Sequence, residues 1–306
     1  MLASGAMWGR LAGATHRGAP LVASWLRVGQ GRRRTAIAIT LLTLAAPGAA
    51  GSPPARVIAC LGDSITFGIT HHADRDLLGG YPGRLQRRLG AGVHVLNRGL
   101  SGTTTDFWLT PPASEDGRSI WRGLLQLWPD LPRGEPSSTA TSITRATLDA
   151  DRPALVVVLL GVNDLGARPA DAHIVEQTSA RLERIRQEAS SPGRTVLLAT
   201  LLPNRRDPAE PRERLNALLR AEHPDVLPLG ERFAAAPWTQ LLGDEIHPSE
   251  DGYETLAGIL AEELARRGYL GGGAASTTST SVAPSTAPSA SGSGTPAAAT
   301  SPATKR

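Results

Sequence analysis

Apolar residues along the chain fall into two alternating patterns. Short continuous runs form one of them: Val57–Leu61, Val93–Asn97, Ala154–Leu160, Thr195–Leu202 and the brief pair Val226–Leu227. Each is the length of a strand and is bounded by glycine or polar residues. Between the runs, apolar side chains recur at helical spacing. Tyr81, Leu85 and Leu89 make one stripe, and Ile174, Thr178, Leu182, Ile185 and Ala189 a longer one. Leu215, Leu218 and Leu219 mark a third helix. Tyr253, Leu256, Leu260 and Leu264 mark a last one, with Ser249 or Asp251 as its cap. Strands alternating with helices predict a parallel sheet covered on both faces, a three-layer α/β/α domain. The run ALVVVLL is apolar on both faces, as a central strand of such a sheet must be.

Both ends of the chain break this pattern. Arg32, Arg33 and Arg34 precede the apolar run Thr35–Ala46, which small residues follow. This reads as a signal peptide over residues 1–50, cleaved after Ala50 or retained as a membrane tether, and it implies export to the periplasm, cell envelope or medium. The apolar run falls short of the roughly 20 residues that a membrane span needs. From residue 271 to 306 the chain is built of Gly, Ala, Ser, Thr and Pro apart from Val282, with Lys305 and Arg306 its only charges. Such a segment has too little apolar surface to offset its ordering entropy and is expected to be disordered. The folded domain is therefore placed at 51–270.

Charge narrows the function further. The chain carries a formal +4, but six arginines lie in the first 50 residues with no acid among them. Residues 51–270 hold 24 basic and 28 acidic residues, so a basic nucleic-acid-binding face is not expected. Every basic residue but Lys305 is arginine, a bias that suggests a GC-rich, bacterial genome. The single cysteine, Cys60, excludes an internal disulfide and any Cys-rich metal site. It lies within a strand, where it is expected to be packed and inert. The adjacent pair His71–His72 is read as a solvated loop rather than a metal site.

In open parallel sheets ligands bind at the carboxyl ends of strands. Those ends carry polar and reactive residues here: Gly62-Asp63-Ser64-Ile65-Thr66 after the first run, Asn97-Arg98-Gly99-Leu100-Ser101-Gly102 after the second, and Gly161-Val162-Asn163-Asp164 after the third. Asp244-Glu245-Ile246-His247-Pro248 stands just before the last helix. A serine, a histidine and an acid are the minimal set for acyl transfer, with glycine amides and an asparagine available to hold an oxyanion. The serine is not in a G-x-S-x-G turn, which disfavours the α/β-hydrolase arrangement. Asp63 and Asp164 are read as structural, bonding loop amides.

These four blocks, in this order, resemble those of the SGNH, or GDSL-type, hydrolases, over roughly Arg56 to Leu270. The resemblance implies a flavodoxin-like parallel sheet and hydrolysis of O-acyl esters with no metal or organic cofactor. By position it implies Ser64 as nucleophile, His247 as general base and Asp244 as its orienting partner. The oxyanion donors would be the Ser64 and Gly99 amides and the Asn163 side chain. Thioesterases, lysophospholipases and arylesterases are the branch that looks most similar, and a carbohydrate O-acetylesterase is the rival reading. The substrate is then a small-molecule, glycan or lipid acyl ester. A binding module on a silent hydrolase scaffold is the alternative of another class.

Residues 103–151 do not fit the alternation. They carry Phe107, Trp108, Trp121 and Trp128, and prolines divide them. Long connections are often lids or binding loops. On that reading Trp108, Trp121 and Trp128 contact substrate; otherwise the segment packs on the sheet edge.

Overall fold

The computed structural model describes residues 56–71, 74–167 and 171–270. Residues 1–50, read above as a signal peptide, the C-terminal segment 271–306 and His72 lie outside the described residues. The first run becomes β1 (Arg56–Gly62), followed at once by a one-turn helix, α1 (Ser64–Phe67). A small antiparallel pair, β2 (Ile69–His71) and β3 (Asp74–Arg75), leads to α2 (Gly80–Leu89) and β4 (Val93–Gly99). Three helices occupy the 103–151 stretch: α3 (Thr105–Leu109), α4 (Glu115–Leu127) and α5 (Ile143–Asp151). Then come β5 (Leu155–Leu159), α6 (Val162–Ala167), α7 (Ile174–Ala189) and β6 (Thr195–Leu198). The domain ends with α8 (Ala209–Glu222), α9 (Leu229–Ala234) and α10 (Glu250–Arg266). Ser249 caps α10, its side chain accepting from the Gly252 N–H.

The sheet is parallel, in the order β4-β1-β5-β6. Val226–Leu227 adds only one parallel bridge, Ala199 to Leu227, beyond β6. Counted along the chain this is the 2-1-3-4-5 order of flavodoxin-like sheets, in which the strand order reverses beside β1. All five residues of β5 are buried, as its apolar run requires. Helices α2, α9 and α10 pack together in one layer, and α3, α5, α7 and α8 in the other. Among the described residues no helix is long and apolar enough to cross a membrane.

The 103–151 segment corrects one expectation. Trp108, Trp121 and Trp128 are 0%, 4% and 6% exposed, so none offers a face to substrate. The Trp108 and Trp128 rings stack at 6.3 Å, and Phe107 meets Trp108 edge-on at 5.5 Å. The Trp121 Nε1–H donates to the Gly134 carbonyl at 2.9 Å. Arg98, at the end of β4, holds the segment in place. Its guanidinium lies 5.1 Å from the centre of the Trp128 ring and donates to the carboxylates of both Asp130 and Asp151. The tryptophans are part of the same hydrophobic core as the sheet residues rather than the lining of a groove.

Candidate active site

The site begins where β1 ends. A Cβ on Gly62 would stand 2.0 Å from Thr66 Oγ1 and 2.7 Å from the Leu159 carbonyl, so only glycine lets α1 turn this tightly off the strand. Asp63 caps α1, its carboxylate accepting from the Ile65 N–H at 3.0 Å. Ser64 is the first residue of the helix, so its N–H is one of those without a helical acceptor.

His247 lies in the loop before α10, with Nε2 2.9 Å from Ser64 Oγ. Its Nδ1 is 2.8 Å from Asp244 Oδ2. A carboxylate only accepts, so Nδ1 carries the hydrogen and Nε2 presents a lone pair to the serine hydroxyl. The other Asp244 oxygen accepts from the N–H groups of Ile246 and His247, both at 2.7 Å. Burial alone would raise the Asp244 pKa, but these hydrogen bonds outweigh it and hold the carboxyl below its ordinary range. Hydroxyl, imidazole and carboxylate thus stand in line, an arrangement able to draw the proton from Ser64 as it attacks. The loop is braced from two sides. The Arg205 guanidinium donates to the Asp244 carbonyl at 2.9 Å, and His71 Nδ1 bonds the Gly243 carbonyl at 2.9 Å.

Two of the three expected oxyanion donors sit at strand ends with hydrogens to spare. Ser64 is one. Asn163 is the other: its Nδ2 gives one hydrogen to the Thr103 carbonyl at 2.9 Å, and the nitrogen carries two. Gly99 is a correction. Its N–H donates to Asn97 Oδ1 at 2.9 Å, and a Cβ there would stand 2.1 Å from the Phe67 nitrogen. Gly99 is a spacer beneath α1, with its amide already committed. The glycine three residues on is differently placed. Gly102 adopts φ 79° in an exposed turn, open for 4 Å around the position its Cβ would take. It adjoins Thr103, whose carbonyl Asn163 holds. The sequence contains a signal for it, a Ser-Gly pair just after a strand, but Gly99 stood closer to the strand end.

The second acids behave as structural residues. Asp164 accepts from the Thr105 N–H and hydroxyl. Burial, with Asp164 nearby, pushes the Asp63 carboxyl up to about 7. Burial likewise pushes the Cys60 thiol up to about 12. An open cleft of about 640 Å³ adjoins His247, lined by His71, Arg205, Gly243, Glu245 and Ile246. Arg205 and Glu245 were not among the residues expected at the site; they follow irregular segments where periodicity gives no guide. Among the described residues no three His, Cys, Asp or Glu side chains cluster to hold a metal.

Comparisons with known proteins follow this geometry. The model of the GDSL-like lipase/acylhydrolase family matches residues 60–255. Similar solved structures include a lipase/acylhydrolase from Enterococcus faecalis, 25% identical with a TM-score of 0.48, covering 69% of this chain and 96% of that one. The aryl esterase of M. smegmatis is 19% identical, TM-score 0.48, covering 69% and 99%. A carbohydrate acetylesterase from Sinorhizobium meliloti is 19% identical, TM-score 0.45, again covering 69% and 99%. No curated protein matches the sequence. The family match spans well over half of the chain and takes in all four strand-end and loop blocks, so the protein belongs to the GDSL-like lipase/acylhydrolase family and is a hydrolase of ester bonds.

Proposed function

We propose that the chain is an exported serine esterase working through an acyl-enzyme. The observation that carries this reading is the line from Ser64 to His247 to Asp244, at 2.9 and 2.8 Å. Ser64 Oγ attacks the acyl carbon while His247 Nε2 takes its proton. The carbonyl oxygen becomes an oxyanion held by the Ser64 amide, the Asn163 side chain and the Gly102 amide, which takes the place first given to Gly99. Collapse expels the alcohol, which receives the proton from His247. Water then repeats the sequence and frees the acid, so no metal or cofactor enters the balance. Ser64→Ala should remove nearly all turnover and leave the fold intact, read as ester hydrolysis alongside circular dichroism. Labelling by a fluorophosphonate should fall on Ser64. A protein that does not react there is a silent binding module.

The cleft beside His247 favours the carbohydrate O-acetylesterase reading within this class. Arg205 and Glu245 give it both charges and many hydrogen-bonding groups, which suits a neutral, hydroxyl-rich alcohol. The tryptophans that would have lined a long acyl groove are buried. Acetylated sugars should therefore outpace long-chain acyl esters in kcat/KM, measured across a panel of both. Residues 51–270 make up the catalytic domain on this reading. Residues 1–50 direct export, and 271–306 form a tail. N-terminal sequencing of protein recovered outside the cytoplasm should give a start near Gly51; a start at Met1 in the membrane fraction would identify a tether instead.

A further inference from the structure

We propose that Asp164 and Thr105 are positioning residues for the reaction: together they clamp the turn that carries the Gly102 amide to the helix that carries Asn163. The inference rests on the esterase reading above and extends it to residues outside the reacting set.

Asn163 and Asp164 are neighbours at the start of α6, and both reach back to one short segment about 60 residues earlier in the chain. Asn163 Nδ2 donates to the Thr103 carbonyl at 2.9 Å. Thr105 donates twice to Asp164, from its N–H to both carboxylate oxygens at 3.0 and 3.2 Å and from its hydroxyl at 2.6 Å. Thr105 is 0% and Asp164 4% exposed, so water does not compete for these bonds. Asp164 makes no salt bridge among the described residues. A buried carboxylate with no cation in direct contact is costly unless donors satisfy it. The residue that supplies them here is the first of α3.

Gly102 sits inside a turn that Thr103 closes, its N–H and hydroxyl both donating to the Leu100 carbonyl, at 3.3 and 2.8 Å, so the place of Gly102 follows that of Thr103. Apart from its chain neighbours, no atom comes within 4 Å of the place its side chain would occupy. Its position is set by its flanks. On one side the Leu100 N–H donates to the Gly62 carbonyl at 3.0 Å. On the other, Thr103 is held by Asn163 and by Trp108, whose Nε1–H donates to Thr103 Oγ1 at 3.3 Å. The Asp164 clamp fixes Thr105, two residues beyond Thr103. An oxyanion donor is effective only when it is held in place before charge develops. A carboxylate suits this role because both of its oxygens accept from Thr105, whereas an amide offers one acceptor oxygen in place of two.

The test compares Thr105→Val, Thr105→Ser and Asp164→Asn, each with and without Asn163→Ala, in the full protein. kcat and KM are measured on an acetyl ester. Affinity is measured for an alkyl boronic acid that binds Ser64 as a tetrahedral adduct. Thr105→Val and Asp164→Asn should lower kcat by about 10- to 100-fold and move KM by about 2-fold or less, because the loss falls on the transition state. Thr105→Ser, which keeps the hydroxyl, should restore most of kcat. Boronate affinity should fall in step with kcat/KM. In the Asn163→Ala background the further loss should shrink, since both changes act on one oxyanion site. An unchanged kcat in folded Thr105→Val, or the same fold-loss with and without Asn163→Ala, overturns the clamp. Ser64→Ala is run in parallel: turnover surviving there would overturn the esterase reading itself, whereas Ser64-dependent turnover that ignores Thr105 and Asp164 rejects only the clamp.

Discussion

Asp63 stands one residue before the candidate nucleophile, and its carboxyl is almost wholly buried. Its pKa rises from 3.8 to about 7 on folding, first through burial. Between those values the folded protein holds a proton that the unfolded chain has released. Stability therefore falls as pH rises through this window, and the deficit is complete above about pH 7. Asp244 acts in the opposite sense. Its folded pKa is lowered, so its contribution is present above the ordinary carboxylate range and is lost as pH falls through the folded value. Asp63→Asn keeps an acceptor for the Ile65 N–H but removes the titration. Urea unfolding at a series of pH values should show the variant gaining on the parent from pH 4 to pH 7 and more stable at pH 8. A parent–variant gap that does not vary with pH would count against this account. Asn163→Ala belongs to the same scale. It should lower kcat by roughly 10²–10³-fold with little change in KM, the loss expected for one oxyanion donor.

At the scale of elements, the segment between β4 and β5 packs into the common core, α3 and α5 against each other and against α7, and Arg98 ties it to the end of β4. Trp108→Ala should cost about 3–5 kcal/mol of stability, because a buried aromatic is removed and a cavity left. It should alter acetyl and long-chain esters alike, and denaturant unfolding together with a substrate panel would check both. Selective loss of long-chain activity would restore the groove reading. The contrast shows what the sequence could and could not tell. β1, β4 and β5 and the stripes of α2, α7 and α10 were legible because burial on two faces or one imposes a visible period. The end of Thr195–Leu202 was not, because its buried loop is as apolar as a strand. The two-residue β3 and the short α9 have no period to read. Ser64 and Asn163 were legible because the strand ends fix where chemistry can sit, and Asp244 and His247 because an acid and a histidine stand three residues apart just before the last helix. Gly99 misled because residue type does not reveal whether an amide is already taken, and Asn97 takes it. The tryptophans misled because aromatic content does not say which side a ring faces.

At the scale of the molecule, the candidate nucleophile and its candidate base come from opposite ends of the domain, 183 residues apart in sequence. Neither the order of the strands nor the packing of the first helices brings them together; the loop before α10 does. A partly folded chain, or one clipped before His247, would carry the serine with nothing to draw its proton. Turnover during refolding should therefore appear only with the last cooperative phase, later than far-ultraviolet ellipticity, and stopped-flow measurement of both signals would check the order. Loops closed over such a span are slow to form. On the proposed mechanism, the chain should be inert toward esters for as long as it is unfinished. Hydrolysis of a single ester bond serves as a count of completed molecules, each made safe by its own sequence until the final segment docks.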